Sequence, residues 1–285
     1  MSDAPLHIAL LVDTRVPLIR DAWPALHSAM DAVDGMDAHV VEVTDEAENT
    51  RVDADLIVVP GGDGAILRAC RQLRAHQLPI LGVNLGRLGF LADLSPEEFA
   101  GSLDAIRSRQ YSVTDHLMFE CEHRGADGNV EQFIGLNEVA VSSAGTLRML
   151  EVQLSIDDET VTTFRGDGVI VSTPVGSTAH SLSAGGPILR QELRSFVITP
   201  ICPHTLTVRP IVDSASRVYS VSVPNASEGV MVVVDGQIRR PVREGDVIEV
   251  RQAPFSFLLA RPSGHSYYAT LRRKLGWGGQ LRYRR

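Results

Sequence analysis

The chemistry-bearing residues of this 285-residue chain gather in a few short blocks. Five Asp-Gly pairs occur, at 34–35, 63–64, 127–128, 167–168 and 235–236. An isolated pair of this kind is ordinarily a turn, because both residues tolerate positive φ. Two of the five stand in richer surroundings. Gly61-Gly62-Asp63-Gly64 follows the apolar run Leu56–Val59 directly and opens an amphipathic stretch. In an open α/β sheet, ligands bind beyond the carboxyl ends of the strands, and N–H groups at a helix start favour anions. Glycines at 61, 62 and 64 would let such a ligand approach the backbone. A carboxylate inside an anion-binding loop needs a metal or a hydroxyl to work on. Asp63 is therefore a candidate general base or metal ligand. The plainer alternative is a strand-to-helix turn with Asp63 as its N-cap.

The second block runs from Arg165-Gly166-Asp167-Gly168 to Pro187. Hydroxyls at 177, 178, 181 and 183 stand beside glycines, a composition suited to a flat, polar ligand such as a nucleotide. A Ser/Thr-rich loop with an N-cap at Ser177 or Thr178 is the alternative. Asn137-Glu138 interrupts the apolar run Phe133–Val141; adjacent strand residues face opposite ways, so one of the two is expected to be buried unless this is an edge strand. The chain has one lysine, Lys274, among its 27 Lys and Arg residues. A GxxxxGK[ST] phosphate loop is absent. A phosphate site here must use backbone amides, arginines and a metal, and Lys274, in a basic tail far along the chain, is expected to be dispensable.

The elements that must position these residues are legible in outline. Up to residue 110, short apolar strands (His7–Val12, Ala38–Val43, Asp55–Val59, Pro79–Val83) alternate with amphipathic segments. A helix is expected over 17–33 with a kink or an early break at Pro24, another over Gly64–Leu73, and a third from the capping box Ser95-Pro-Glu-Glu98 to about Arg109. This pattern predicts an α/β N-terminal domain with a parallel, doubly wound sheet over 1–110. From 111 to 260 the pattern changes to segments that mostly alternate with period two or are β-branched, with strands at 111–122, 133–141, 150–156, 169–172, 217–223, 230–234, 246–251 and 255–260. A mostly-β, sandwich-like C-terminal domain is expected there. Residues 261–285 form a tail, for which packing back on the first domain is one option.

Composition excludes several classes. Acids outnumber bases 35 to 27, for a formal charge of −8, which disfavours a nucleic-acid partner. No apolar run approaches the roughly 18 residues of a membrane span, and the N-terminus has no basic n-region of a secretory signal. Three widely spaced cysteines fit a reducing cytoplasm better than a disulfide framework.

The ordered set of blocks resembles the NAD kinase family, bacterial type. The matching blocks are Gly61–Gly64, Asn84–Leu91, Leu136-Asn-Glu-Val139, Asp167–Pro187, Pro200–Leu206 with Arg209-Pro210, and Asp235-Gly-Gln237. The resemblance implies transfer of the γ-phosphate of ATP to the adenosine 2′-hydroxyl of NAD, giving NADP. It implies Asp63 as the catalytic base, and Gly61, Gly62, Gly64 and Arg68 near phosphates. NAD contacts are implied for Asp63, Gly64, Asn137, Glu138, Arg148, Arg165, Asp167, Thr178, Ala179, His180, Ser181, Leu182, Ser183 and Gln237. Mg²⁺ or Mn²⁺ would arrive with ATP, with no protein metal cage, and the chain would assemble as a homodimer or homotetramer. His180 stands where the family usually has tyrosine, and Val175, which donates no hydrogen bond from its side chain, where it usually has threonine. Two rivals remain: a lipid kinase of the diacylglycerol or sphingosine type, which shares the Gly-Gly-Asp-Gly loop, and a non-catalytic dinucleotide-binding regulator.

Overall fold

A computed structural model describes residues 4–43, 49–86, 89–143, 149–264 and 266–277. The chain divides into two compact units. One joins the residues up to Thr114 with those from Leu258 onward; the other is Asp115–Phe257.

The first unit is built on parallel strands β1 (Leu6–Val12), β2 (Met36–Glu42), β3 (Leu56–Gly61) and β4 (Ile80–Asn84), in the order β2-β1-β3-β4. Nearly continuous apolar sequence buries β1, β3 and β4 on both faces, as a sheet covered by helices requires. Helix α1 (Pro17–Asp31) packs Ile19, Leu26 and Met30 on the face formed by Leu6, Ile8, Leu10 and Val58. Phe99 of α3 (Pro96–Gly101) and Leu103 and Ile106 of α4 (Leu103–Arg107) join the same core. Helix α2 (Asp63–Leu73) lies on the opposite face, where Ile66 meets the bare backbone of Gly82. The sheet is thus doubly wound, and its order reverses between β1 and β3.

Two helical expectations change. Helix α1 runs unbroken through Pro24, where both Pro24 and Arg20, whose carbonyl it cannot serve, are exposed residues. The stretch after Ser95 keeps its capping box (Ser95 N to Glu98 Oε2, 2.7 Å; Glu98 N to Ser95 Oγ, 3.1 Å) but breaks into α3 and α4 at Ser102. There the Ser102 hydroxyl donates to the Glu98 carbonyl, a local bond that competes with the helix ladder.

The second unit is a β-sandwich. One sheet has the order β12-β11-β10-β7-β14-β15, all antiparallel, from β7 (Glu138–Ser143), β10 (Gly168–Ser172), β11 (Ser195–Ile201), β12 (Ile211–Ser214), β14 (Val230–Val234) and β15 (Ile238–Pro241). The facing layer holds β8 (Leu150–Ile156), β9 (Glu159–Gly166), β13 (Tyr219–Ser222) and the first part of β16 (Val247–Pro262), with the hairpin of β5 (Tyr111–Arg124) and β6 (Val130–Gly135). Val139, Val169, Val171 and Val232 from one layer meet Val152, Leu154, Val221 and Val250 from the other in one core. The apolar run Phe133–Val141 is not one strand but two: β6 ends at Gly135, and β7 begins at Glu138 in the other sheet. The two runs around 246–260 are instead one strand, β16. Strands β9, β11, β12 and β15 lack a clean alternation and are not evident from the sequence. A short 3₁₀ turn (Gly176–Thr178) and α5 (His180–Ser183) follow β10.

The last residues of β16 belong to the first unit, where Leu259 pairs in parallel with Ile80 of β4. Helix α6 (Tyr267–Leu275) follows, capped by the Ser266 hydroxyl and closed by Gly276 in the left-handed region. No helix among the described residues is long and apolar enough to cross a membrane.

Candidate active site

In the first unit the site residues collect where the sheet order reverses, at the carboxyl ends of β1 and β3, the position at which such sheets bind ligands. Gly61 ends β3 at φ +137°, and a side chain there would press on Ala65. Gly62 is the N-cap of α2, and Asp63 is its first residue. Asp63 does not cap the helix. Its Oδ2 accepts from Phe90 N at 2.8 Å, and its Oδ1 accepts from Leu91 N and Ala92 N, both at 3.0 Å. The turn that supplies these amides is pinned to the end of β4 by Asn84. The Asn84 amide donates to Ala92 O at 3.0 Å, and its oxygen accepts from Gly86 N at 2.7 Å. Gly89 must lack a side chain, because a Cβ there would overlap the Asp63 carboxylate. The block Asn84–Leu91 is therefore the mount of Asp63.

Arg68, one turn further along α2, reaches back to Asp13, just past β1. Arg15 grips the same carboxylate with two bonds, Nε to Oδ1 at 2.8 Å and Nη2 to Oδ2 at 2.9 Å. These bonds from Arg15, against the cost of burial, hold the Asp13 carboxyl below its usual range. The two partly exposed guanidinium groups balance the carboxylates of Asp13 and of Asp63 in the neighbouring Gly-Gly-Asp-Gly turn. Asp13 and Arg15 are absent from the sequence expectations. The available signal was the place of Asp13 at the carboxyl end of the first strand.

In the second unit the residues Leu136-Asn137 carry the chain from one sheet to the other. Asp235 secures that crossing. Its carboxylate accepts from Leu136 N (3.0 Å), Asn137 N (2.8 Å) and Glu138 N (3.2 Å). Gly176 packs against the Asn137 peptide so closely that no side chain fits. Glu138 then lies on a central strand, flanked by β10 and β14, and not on an edge. It is 5% exposed. The His180 backbone N–H is bonded to its carboxyl group, and Oε2 has no hydrogen-bond partner among the described residues. Burial, reinforced by the Asp235 charge and opposed by the His180 N–H, pushes the Glu138 carboxyl up to about 8. Glu138 lines a cavity of about 350 Å³ together with Ser142, His180, Met231, Gly236 and Arg239. That volume is within the range of small-molecule pockets.

The hydroxyl-rich block is less available than its composition implies. Ser177 donates to Pro174 O (2.6 Å) and accepts from Leu189 N (3.0 Å). Thr178 donates to Val175 O at 3.0 Å, and Ser181 bonds Thr199 at 2.9 Å. These three are buried, so most of the density serves the turn itself. His180 and Ser183 are exposed, and Ala179 and Leu182 half-buried. Asp167 is exposed and bonds the Cys202 thiol, which raises the thiol's pKa. Gly168, at φ +156°, lies against Val141 O. Arg165 is exposed, 3.5 Å from Glu151, and Gln237 is exposed in the β14–β15 hairpin. Arg148 lies outside the described residues.

A carboxylate mounted at an anion-favouring turn in one unit, and a cavity on the β-sandwich of the other that Glu138, Ser142, His180 and Arg239 help to line, define a phosphotransferase that acts on a nucleotide. The comparisons agree. The ATP-NAD kinase N-terminal domain matches residues 24–111, and the ATP-NAD kinase C-terminal domain matches 136–261. An NAD kinase of Rhodopirellula baltica is 44% identical over 266 residues, 93% of this chain and 85% of that protein. One from Carboxydothermus hydrogenoformans is 41% identical over 236 residues, 83% and 84% of the two chains. Among solved structures, an Archaeoglobus fulgidus NAD kinase in complex with ATP superposes with a TM-score of 0.70 at 30% identity, covering 95% of this chain and 98% of that one. A yeast NADH kinase complexed with NADH shares the fold, with a TM-score of 0.87 at 23% identity over 99% and 91% of the chains. The chain belongs to the ATP-NAD kinase family. The lipid-kinase alternative is not favoured.

Proposed function

We infer that this chain transfers the γ-phosphate of ATP to the adenosine 2′-hydroxyl of NAD, with Asp63 as general base. The observation that carries this reading is the Asp63 carboxylate, fixed by three amides at the carboxyl edge of a parallel sheet. In the step, the 2′-oxygen forms a bond to the γ-phosphorus. The bond from that phosphorus to the β–γ bridging oxygen breaks, and ADP leaves with the electron pair. The hydroxyl proton passes to Asp63 Oδ. Phosphoryl transfer asks chiefly for in-line positioning and neutralised charge, and the amide mount supplies the first by holding the acceptor still.

ATP enters as its Mg²⁺ or Mn²⁺ complex, the metal being part of the substrate. Arg68 and Arg15, both anchored on Asp13, bring guanidinium charge to phosphate oxygens, and the Gly61–Gly64 backbone supports the same group. On the sandwich, Asn137, Glu138 and His180 hold the dinucleotide. A Glu138 carboxyl protonated at neutral pH donates a hydrogen bond to NAD where a carboxylate could only accept. The remaining contacts are assigned to Gly64, Arg148, Arg165, Asp167, Thr178, Ala179, Ser181, Leu182, Ser183 and Gln237. Three cysteines outside any disulfide, two of them buried, fit a cytoplasmic enzyme, and family kinship supports a homodimer or homotetramer.

The test is formation of NADP by the purified chain from NAD and Mg·ATP, with diacylglycerol and sphingosine as parallel acceptors. Phosphorylation of NAD alone is expected. Transfer to a lipid with none to NAD would overturn the reading, and tight NAD binding without turnover would favour the regulator.

A further inference from the structure

The residues beyond 257 have no part in the chemistry so far, yet they meet the turn on which Asp63 is mounted. Arg261 is 8% exposed. Its Nη2 donates to Phe90 O at 3.1 Å, and its Nε donates to Asp93 Oδ2 at 3.3 Å. Thr270, buried beside Leu271 on α6, donates its hydroxyl to the same Asp93 oxygen at 3.3 Å. Arg273 Nη2 lies 3.5 Å from Asp93 O, and the Lys274 ammonium stands 5.2 Å from the centre of the Phe90 ring. The turn is therefore held twice. Its N–H groups at 90–92 face Asp63. Its carbonyls at 90 and 93, the Asp93 carboxylate and the Phe90 ring face the C-terminal segment.

We propose that Arg261, Thr270 and Lys274 are positioning residues of the phosphotransfer reaction: by fixing the 90–93 turn they fix the Asp63 carboxylate. The proposal rests on the reading of Asp63 as the base. The Asp93 side chain is 4% exposed, and a buried carboxylate that loses a partner shifts toward water or another donor. Any such shift moves three amides bonded to Asp63. A displacement of about an ångström at a reacting group can cost on the order of a hundredfold in rate.

The experiment uses the full chain with Thr270→Val, Thr270→Ser, Lys274→Met and Asp63→Asn. Thr270→Val keeps the shape and removes the hydroxyl. It should lower kcat about ten- to a hundredfold, leave both substrate KM values nearly unchanged, and speed hydrogen exchange at the amides of 90–92. Thr270→Ser, which keeps the donor, should restore turnover. Lys274→Met, on the exposed face of α6, should lower kcat a few-fold and gives the same reading if Thr270→Val fails to fold. Wild-type kcat in both folded variants, a loss carried by KM alone, or a serine variant as poor as the valine one would overturn the positioning role while leaving Asp63 in place. Near wild-type turnover in Asp63→Asn would instead remove the base, and this inference with it.

Discussion

At the scale of single residues, Asp63 and Glu138 do opposite things with the same functional group. Asp63 accepts from three amides and stays a fixed acceptor. Replacing it by asparagine keeps the shape and removes the proton acceptor, so turnover should fall about 10²- to 10⁴-fold while NAD still binds. Turnover and NAD titration on the same preparation check this. Glu138 is held neutral by burial. Its carboxyl is raised from 4.5 to about 8 in the folded chain, so the folded state keeps a proton that the unfolded chain releases. The stability this contributes is full below about pH 4.5 and is lost as pH rises through about 8. Glu138→Gln should flatten that part of the profile, and urea midpoints at about pH 5 and about pH 9 would measure it. A midpoint difference as large in the variant as in the wild type would refute the assignment. Asp63 stands out in the sequence as a candidate because a carboxylate among glycines is unusual. Its partners do not, because backbone amides 27 to 29 residues away carry no side-chain signature.

At the scale of elements, one device appears twice. Two Asp-Gly carboxylates, Asp63 and Asp235, each collect three successive amides, and each organises a turn that bears site residues. Gly89→Ala should therefore be costly out of proportion to its size, because the new methyl group overlaps the Asp63 carboxylate. A fall in kcat on the order of a hundredfold is expected, with the melting temperature little changed; normal kcat would contradict the mount. Asp235→Asn turns a donor toward amides that need acceptors. It should destabilise the chain by about 1–3 kcal/mol and raise the KM for NAD, as the Asn137–Glu138 crossing loosens. Denaturant titration and steady-state kinetics separate the two effects. Strand β8 is readable from the alternation in 150–156, and β14 from the β-branched run in 230–234. The break between β6 and β7 is not, since both sides of it are apolar and the residue that makes the crossing, Asp235, is 98 positions from Asn137. The hydroxyls after Gly176 mislead for a related reason: composition reports that Ser177, Thr178 and Ser181 are polar, but not that each already has an internal partner.

At the scale of the whole molecule, a net charge of −8 and one lysine leave phosphate binding to guanidinium groups and metal. Chelation should abolish activity, and Mg²⁺ or Mn²⁺ should restore it, because the triphosphate charge needs a diffusible cation. Full turnover in excess chelator would show otherwise. Sequence distance made the tail at 261–285 look remote from this chemistry, whereas Thr270 and Asp93 are bonded across 177 positions. The first unit is assembled from both the early chain and the residues past 257. During synthesis the parallel strands emerge from the ribosome long before the strand and helix that finish them. Asp93 then waits for Arg261 and Thr270 while the entire β-sandwich is translated. A message cut short between the end of the sandwich and Arg261 would leave the first unit without the strand end and the helix that Asp93 and Phe90 bond.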